Sequence, residues 1–329
     1  MHRVISSGLV MLFLVHSTGL AAAEKSADVK SPGEKSLGVR IIEDLEETCR
    51  KEEDDVITER ICFERHLMGN RYALLPHHPN YVMPLTQNAS PNKSTWELQG
   101  YEGDPNQEEV VYQISFKFPL WVPIDPNNAD LRTRPFSVFI GYTQRAFWQL
   151  YNKPNSAPFR ETNHEPELLF YYFPDLKFNQ WAMPVITLGI NHQSNGRSEP
   201  SSRSWNRVYL DIIVAHDKFA LSLRPWYRIP ESRAEDDNRD ILDYMGYGDL
   251  KMAYRFSDNW QSSILVRNNL EIQDENRGAV QLDVAWASNF LNHKLSLYGQ
   301  VFHGYGESLI DYNHVNTRVG IGFLVSNWL

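Results

Sequence analysis

The sequence predicts an all-β fold: a twelve-stranded antiparallel transmembrane β-barrel preceded by a short charged N-terminal segment. Three observations predict it. From about residue 80 onward, short segments alternate apolar and polar residues, the period-two signature of strands with one greasy and one wet face. Aromatic residues crowd the segment ends, and Pro and Gly cluster in the gaps, as in "DPNNADLRTRP" and "SNGRSEPSSR". The first residues have the layout of an export signal. A soluble exported β-sandwich would also alternate, but it accounts less easily for so many apolar positions facing one way. In hydrocarbon an open sheet edge leaves backbone polar groups unsatisfied, so the sheet must close.

The chain has 329 residues, a formal net charge of −9 and 42% hydrophobic residues. Its N-terminus carries Arg3, the apolar run "GLVMLFLV" and then Ala21 to Ala23. That pattern predicts a signal peptide over residues 1–23, cleaved before Glu24. Residues 24–77 are charged and poor in aromatics, and read as a periplasmic tail or short helical segment outside the main body. Cys49 and Cys62 lie there, in "CRKEEDDVITERIC". In an oxidising compartment they form a local disulfide or remain free thiols, and neither reading gives them a catalytic role. A net negative charge without a long basic run argues against nucleic acid as a partner.

The barrel itself is expected over residues 78–329, as one domain without a fixed-period repeat. Strands are predicted to start near Asn80, Glu108, Phe136, Glu165, Trp181, Trp205, Phe219, Tyr244, Trp260, Gly278, His293 and Asn316. In 112–120 the even positions are Tyr112, Ile114, Phe116, Phe118 and Leu120, against Gln113, Ser115, Lys117 and Pro119. In 280–286 the even row is Val280, Leu282, Val284 and Trp286. In 317–325 the apolar row is odd: Val319, Ile321, Phe323 and Val325 follow Thr317.

The same parity singles out "NHQSNGRSEPSSRSWNR". In the strand before it, Ile186, Leu188 and Ile190 share a face with His192 and Ser194. In the strand after it, Val208, Leu210 and Ile212 share a face with Asn206. Three polar groups on a lipid-facing row are costly unless they act together. His192 and Ser194 are two residues apart on one face, about 7 Å along an extended strand. Asn206 opens the partner strand of the hairpin. The three make a nucleophile, base and orienter set, and a neutral amide avoids an unpaired charge beside hydrocarbon. The plain alternative is a polar hairpin loop around the Asn195–Gly196 turn signal. That covers 195–204, but not His192 and Asn206 on the outward row.

Gln144 is a second anomaly. It interrupts the even row Phe136, Val138, Ile140, Tyr142, Ala146, Trp148 and Leu150. It is either tolerated near an interface or hydrogen-bonds across a dimer contact within the membrane.

The stretches "NHQSNGRSEPSSRSWNR", "YTQRAFWQL", "FRETNHEPEL", "KFPLW", "YMGY" and "GYGESLIDYN" resemble the outer-membrane phospholipase A family, from about Asn80 to the end. The resemblance implies a twelve-stranded barrel in the outer membrane of a Gram-negative bacterium, active as a calcium-dependent, reversible homodimer. It implies hydrolysis of sn-1 and sn-2 acyl esters of phospholipids, and of lysophospholipids. Carried over, Ser194 is the nucleophile, His192 the base and Asn206 the orienter. The Arg197 carbonyl and Ser202 would hold Ca2+ in the dimer, with Ser156 contributed from the other subunit. Glu199 and Asp237 match a second calcium site of the monomeric form, and Gln144 falls at the dimer interface. Two features depart from the family: the charged segment with Cys49 and Cys62, and the ending in Leu329 after Trp328. The competing functional reading is a passive porin-like or structural barrel, which has no use for an outward His–Ser–Asn set.

Overall fold

The computed structural model describes residues 45, 47–51, 53–68, 72–123, 135–174, 176–232, 236–272, 275–287 and 295–327. All belong to one compact unit, 43–329. The expected signal peptide, the start of the charged segment and the terminal Trp328–Leu329 pair lie outside the described residues.

Fourteen strands form one sheet. They are β1 (Leu75–Pro76), β2 (Asn80–Asn88), β3 (Glu108–Trp121), β4 (Phe136–Trp148), β5 (Phe159–Tyr172), β6 (Leu176–Phe178), β7 (Trp181–Ser194), β8 (Ser204–His216), β9 (Phe219–Ile229), β10 (Gly248–Ser257), β11 (Trp260–Asn268), β12 (Gly278–Ala287), β13 (Ser296–Gly304) and β14 (Asn316–Ser326). β1 adds only to β3, and β6 only to β7. The other twelve pair antiparallel with their neighbours, and β14 returns to β2. The sheet therefore closes and leaves no edge.

The predicted rows face as parity requires. Ile114, Leu188, Ile190, Leu223, Leu282, Val319 and Ile321 are exposed on the outside, forming the apolar band of a transmembrane barrel. Ser115, Lys117, Thr143, Glu167, Asn191 and Arg318 are buried inside. Trp121, Phe136, Tyr172, Trp181, Phe256, Trp260 and Trp286 are exposed at one end of the strands, where an aromatic girdle belongs. No helix among the described residues is long and apolar enough to cross a membrane.

Three predicted starts move, and β13 begins at Ser296 rather than near His293. β5 begins at Phe159 rather than near Glu165. The residues that follow Phe159 are polar, and a register shift between Phe147 and Trp148 of β4 turns both Arg160 and Glu161 inward, which breaks the alternation. β10 begins at Gly248, because Tyr244 belongs to a short helix, Ile241–Met245.

The charged segment is less detached than its composition suggests. A helix α1 (Val56–Leu67) forms there, with the Asp55 carboxylate accepting from the Ile57 and Thr58 amides at 3.0 and 2.9 Å, an N-cap that satisfies two donors with no partner in the helix. α1 docks at the barrel end opposite the β7–β8 loop. The Val56 amide donates to the Asp217 carbonyl at 3.0 Å, in the β8–β9 turn. Glu59 pairs with Arg255 at 2.6 Å and Glu64 with Lys117 at 2.8 Å. Burial alone would push the Glu64 carboxyl up, but the Lys117 and Arg60 charges prevail and hold it below the ordinary carboxylate value. Cys49 and Cys62 form a disulfide, which settles the choice left open by the sequence.

At the opposite end, residues 305–315 fold into the lumen. Leu309 and Ile310 amides donate to Asn163 Oδ1 and Glu161 Oε1 at 3.1 and 3.0 Å. Arg318 lies between Glu307 and Glu109, at 2.7 and 2.6 Å, and Arg160 bridges Glu109 and Asp311. A buried network with its members paired fixes loop positions because any single loss leaves a bare charge inside. This is the physical content of the "GYGESLIDYN" stretch.

Candidate active site on the outer face

The β7–β8 hairpin positions the predicted set. Cross-strand register places His192 opposite Asn206, and Ser194 opposite Ser204. His192 Nδ1 and Asn206 Oδ1 are 2.8 Å apart. His192 is exposed, while Ser194 and Asn206 are half-buried. No side-chain hydrogen bond joins Ser194 Oγ to His192 among the described residues, a contact of the kind that tightens when substrate seats.

Behind this row the hairpin is locked from inside. Trp205 is fully buried and donates its indole N–H to Gln193 Oε1 at 2.7 Å. The Arg207 guanidinium stacks 4.1 Å from the Trp205 ring centroid and donates to Asn191 Oδ1 at 2.9 Å and Glu165 Oε1 at 2.9 Å. Gly189 faces Tyr209 across the ladder, and a Cβ there would lie 2.2 Å from the tyrosine ring. Glycine therefore lets the ring fold over the strand, and its hydroxyl donates to Glu167 at 2.9 Å.

The loop after Ser194 is held by one side chain. Asn195 accepts from the Arg197 and Arg203 amides at 3.3 and 3.0 Å and donates to the Ser201 carbonyl at 2.9 Å. Gly196 takes φ +63°, the left-handed conformation that closes the turn. The Ser202 hydroxyl donates to Asp237, so two of the predicted calcium residues meet directly. The Arg197 side chain turns away, to the Phe159 and Arg160 carbonyls at 3.0 and 2.9 Å. Among the described residues, no hydrogen bond ends on its main-chain carbonyl. Glu199 is exposed at the loop tip. Ser156 lies in the β4–β5 turn with φ 59°, apart from this cluster in sequence and strand. The donors are hydroxyl, carbonyl and carboxylate oxygens, the hard set that calcium takes.

Gln144 sits on the outward row, directly opposite His164 of β5, which is in turn opposite Ser194 of β7. Tyr142 OH lies 2.7 Å from His164 Nδ1 and donates to Gln144 Oε1 at 3.5 Å. Sequence reading missed His164 and Tyr142, although parity places both on the outward face. It also missed Glu231, whose Oε1 accepts from Asn206 Nδ2 at 2.6 Å.

Residues 57–325 match the family described as Phospholipase A1. The chain is 36% identical over 258 residues to the phospholipase A1 of Escherichia coli strain K12, covering 78% of this chain and 83% of that one. Among solved structures, outer membrane phospholipase A from Escherichia coli superposes with a TM-score of 0.68 at 35% identity, over 78% of this chain and all of that one. A Salmonella typhi outer membrane phospholipase, solved as a dimer with bound calcium, gives a TM-score of 0.68 at 34% identity, over 80% and 96%.

Proposed function

This chain belongs to the phospholipase A1 family, and from that premise we propose that it is a calcium-dependent outer-membrane phospholipase working as a reversible homodimer. Its substrates are the sn-1 and sn-2 acyl esters of phospholipids, and lysophospholipids. It is exported by a signal peptide and resides in the outer membrane of a Gram-negative bacterium. The observation that carries the reading is the 2.8 Å contact between His192 and Asn206, two residues from Ser194, on a row otherwise made of Ile186, Leu188, Ile190, Val208 and Leu210.

In this reading the Ser194 hydroxyl attacks the ester carbonyl while His192 Nε2 takes its proton. The tetrahedral oxyanion collapses, the ester C–O bond breaks, and His192 returns the proton to the departing alcohol. Water then attacks the acyl-serine with the same base and frees the fatty acid. Asn206 Oδ1 holds His192 Nδ1–H and stabilises the imidazolium as it forms. The outward position gives the ester a direct approach from the lipid.

Calcium would be held by the Arg197 carbonyl and Ser202, with Ser156 of the partner subunit. When bound it supplies positive charge beside the developing oxyanion. Glu199 and Asp237 would belong to a second site in the monomer, next to the first, since Asp237 accepts from the Ser202 hydroxyl. Gln144 would hydrogen-bond across the interface between the barrels. Requiring two subunits keeps a lipase surrounded by its substrate idle when alone.

The test is fatty acid release from phospholipid–detergent micelles, with calcium and with excess chelator. Release that depends on calcium supports the reading. No release in either condition, from a barrel that is folded by heat-modifiable gel mobility, refutes it in favour of a passive barrel.

A further inference from the structure

β9 ends at Ile229, whose Cα partner on β8 is Asn206. Glu231 follows two residues later on the same face and reaches back to the active row. Its Oε1 accepts from Asn206 Nδ2 at 2.6 Å. Its Oε2 is buried and takes no hydrogen bond among the described residues. The carboxylate is thus committed to one contact, and that contact is the orienting amide.

An asparagine side chain has a chemically two-sided end, and its flip exchanges a donor for an acceptor. A carboxylate only accepts, so the Asn206 group that faces Glu231 must be the NH2. The Asn206 carbonyl oxygen then faces His192, and Nδ1 of the imidazole must carry the proton that it accepts. The remaining ring nitrogen, Nε2, is left free to take a proton from Ser194. An asparagine alone does not enforce this order. Flipped, it would offer N–H to Nδ1 and stabilise the wrong tautomer.

We propose that Glu231 is a positioning residue of the hydrolase: it locks the Asn206 amide by accepting its N–H, and through it fixes the His192 tautomer that serves as base. This rests on the Ser194–His192–Asn206 reading above. The chain Glu231–Asn206–His192 is a relay of hydrogen bonds that polarise one another. The carboxylate makes the Asn206 oxygen a stronger acceptor while staying one residue removed from the ring. Its location outside the barrel strand, past Pro230, keeps the charge at the rim rather than beside hydrocarbon.

The test compares E231A, E231Q, N206A and the N206A/E231A double variant in the full chain, with calcium and micellar phospholipid, and heat-modifiable mobility as the folding control. Glutamine keeps an acceptor oxygen for Asn206 and removes only the charge. E231A should lower kcat on the order of tenfold, the size typical of losing a hydrogen-bond partner behind a functional ligand, with KM unchanged. E231Q should recover most of that loss. The double variant should be no slower than N206A, because without the amide there is nothing for Glu231 to orient. E231A at wild-type kcat, E231Q no better than E231A, or losses that multiply in the double variant would each overturn the proposal. S194A with wild-type turnover would instead overturn the triad reading on which it rests.

Discussion

On the inward face of β7 and β8, Asn191, Gln193, Trp205 and Arg207 are each tied to a partner within the barrel. On the outward face of the same strands, His192, Ser194 and Asn206 stand in a row of aliphatic side chains. Both sets are polar and both contain hydrogen-bonded pairs, yet they answer to different costs. An inward polar group is needed to fill a lumen that apolar side chains do not line, and its partners make the hairpin rigid. An outward polar group has no packing reason to exist and is opposed by the bilayer. In a barrel, therefore, polar residues on the lipid side point to function, while inward polar ones report on structure.

That contrast is sharpest in a pair of substitutions with opposite consequences. Ser194→Ala should lower turnover by several orders of magnitude and leave the heat-modifiable mobility of a folded barrel. Activity within about tenfold of wild type would place the nucleophile elsewhere. His192→Ala should follow closely, and Asn206→Ala should be milder, since the proposed role of Asn206 is only to orient the ring. Turnover of both at saturating calcium decides it, and a reversed order would mean that the roles are exchanged. On the inward side, Arg318→Met takes from Glu307 its close buried partner and leaves Glu109 to Arg160. It should cost about 3 kcal/mol of stability, read from the urea midpoint, while the folded fraction turns over like the parent.

A smaller effect concerns the docked helix. The Glu64 carboxyl is lowered in the folded protein from an ordinary 4.5. A lowered carboxylate contributes stability that is complete above the ordinary value and is lost as the pH falls through the folded one. The unfolding midpoint should therefore fall below about pH 4.5, and Glu64→Gln should flatten that part of the profile. An unchanged profile would show that the Lys117 and Arg60 pairing does not anchor α1. The smallest effect is at Gln144. Its replacement by Ala should weaken dimerisation by roughly 1 kcal/mol, measured by sedimentation in detergent with calcium and a non-hydrolysable lipid analogue. A protein that is fully active while monomeric would break the dimer account.

Much of this was legible in the sequence, and the limit has a physical form. Parity gave side-chain direction, so it found the outward rows and the shared face of His192, Ser194 and Asn206, and turn residues gave strand starts at Asn80, Glu108, Phe136, Trp181, Phe219, Trp260, Gly278 and Asn316. Parity failed at Arg160–Glu161, where a register shift faces both inward. It also says nothing of partners. The Arg160–Asp311 pair spans most of the barrel in sequence, and α1 meets strands far along the chain. Glu231 was invisible because its meaning lies in an amide on another strand. His164 looked like part of a polar strand start until the register set it opposite Ser194.

Ser194 is proposed to be an activated nucleophile on the outside of the barrel. A long-chain alkylsulfonyl fluoride tests it most directly, since a serine oxygen activated by a base displaces fluoride and keeps the sulfonyl group. After reaction with calcium present, mass spectrometry of the digested protein should find one adduct, on the peptide containing Ser194. The adduct should vanish in Ser194→Ala and in His192→Ala. A folded protein that stays unlabelled, or that carries the adduct on another serine at the same rate in both variants, would contradict the account.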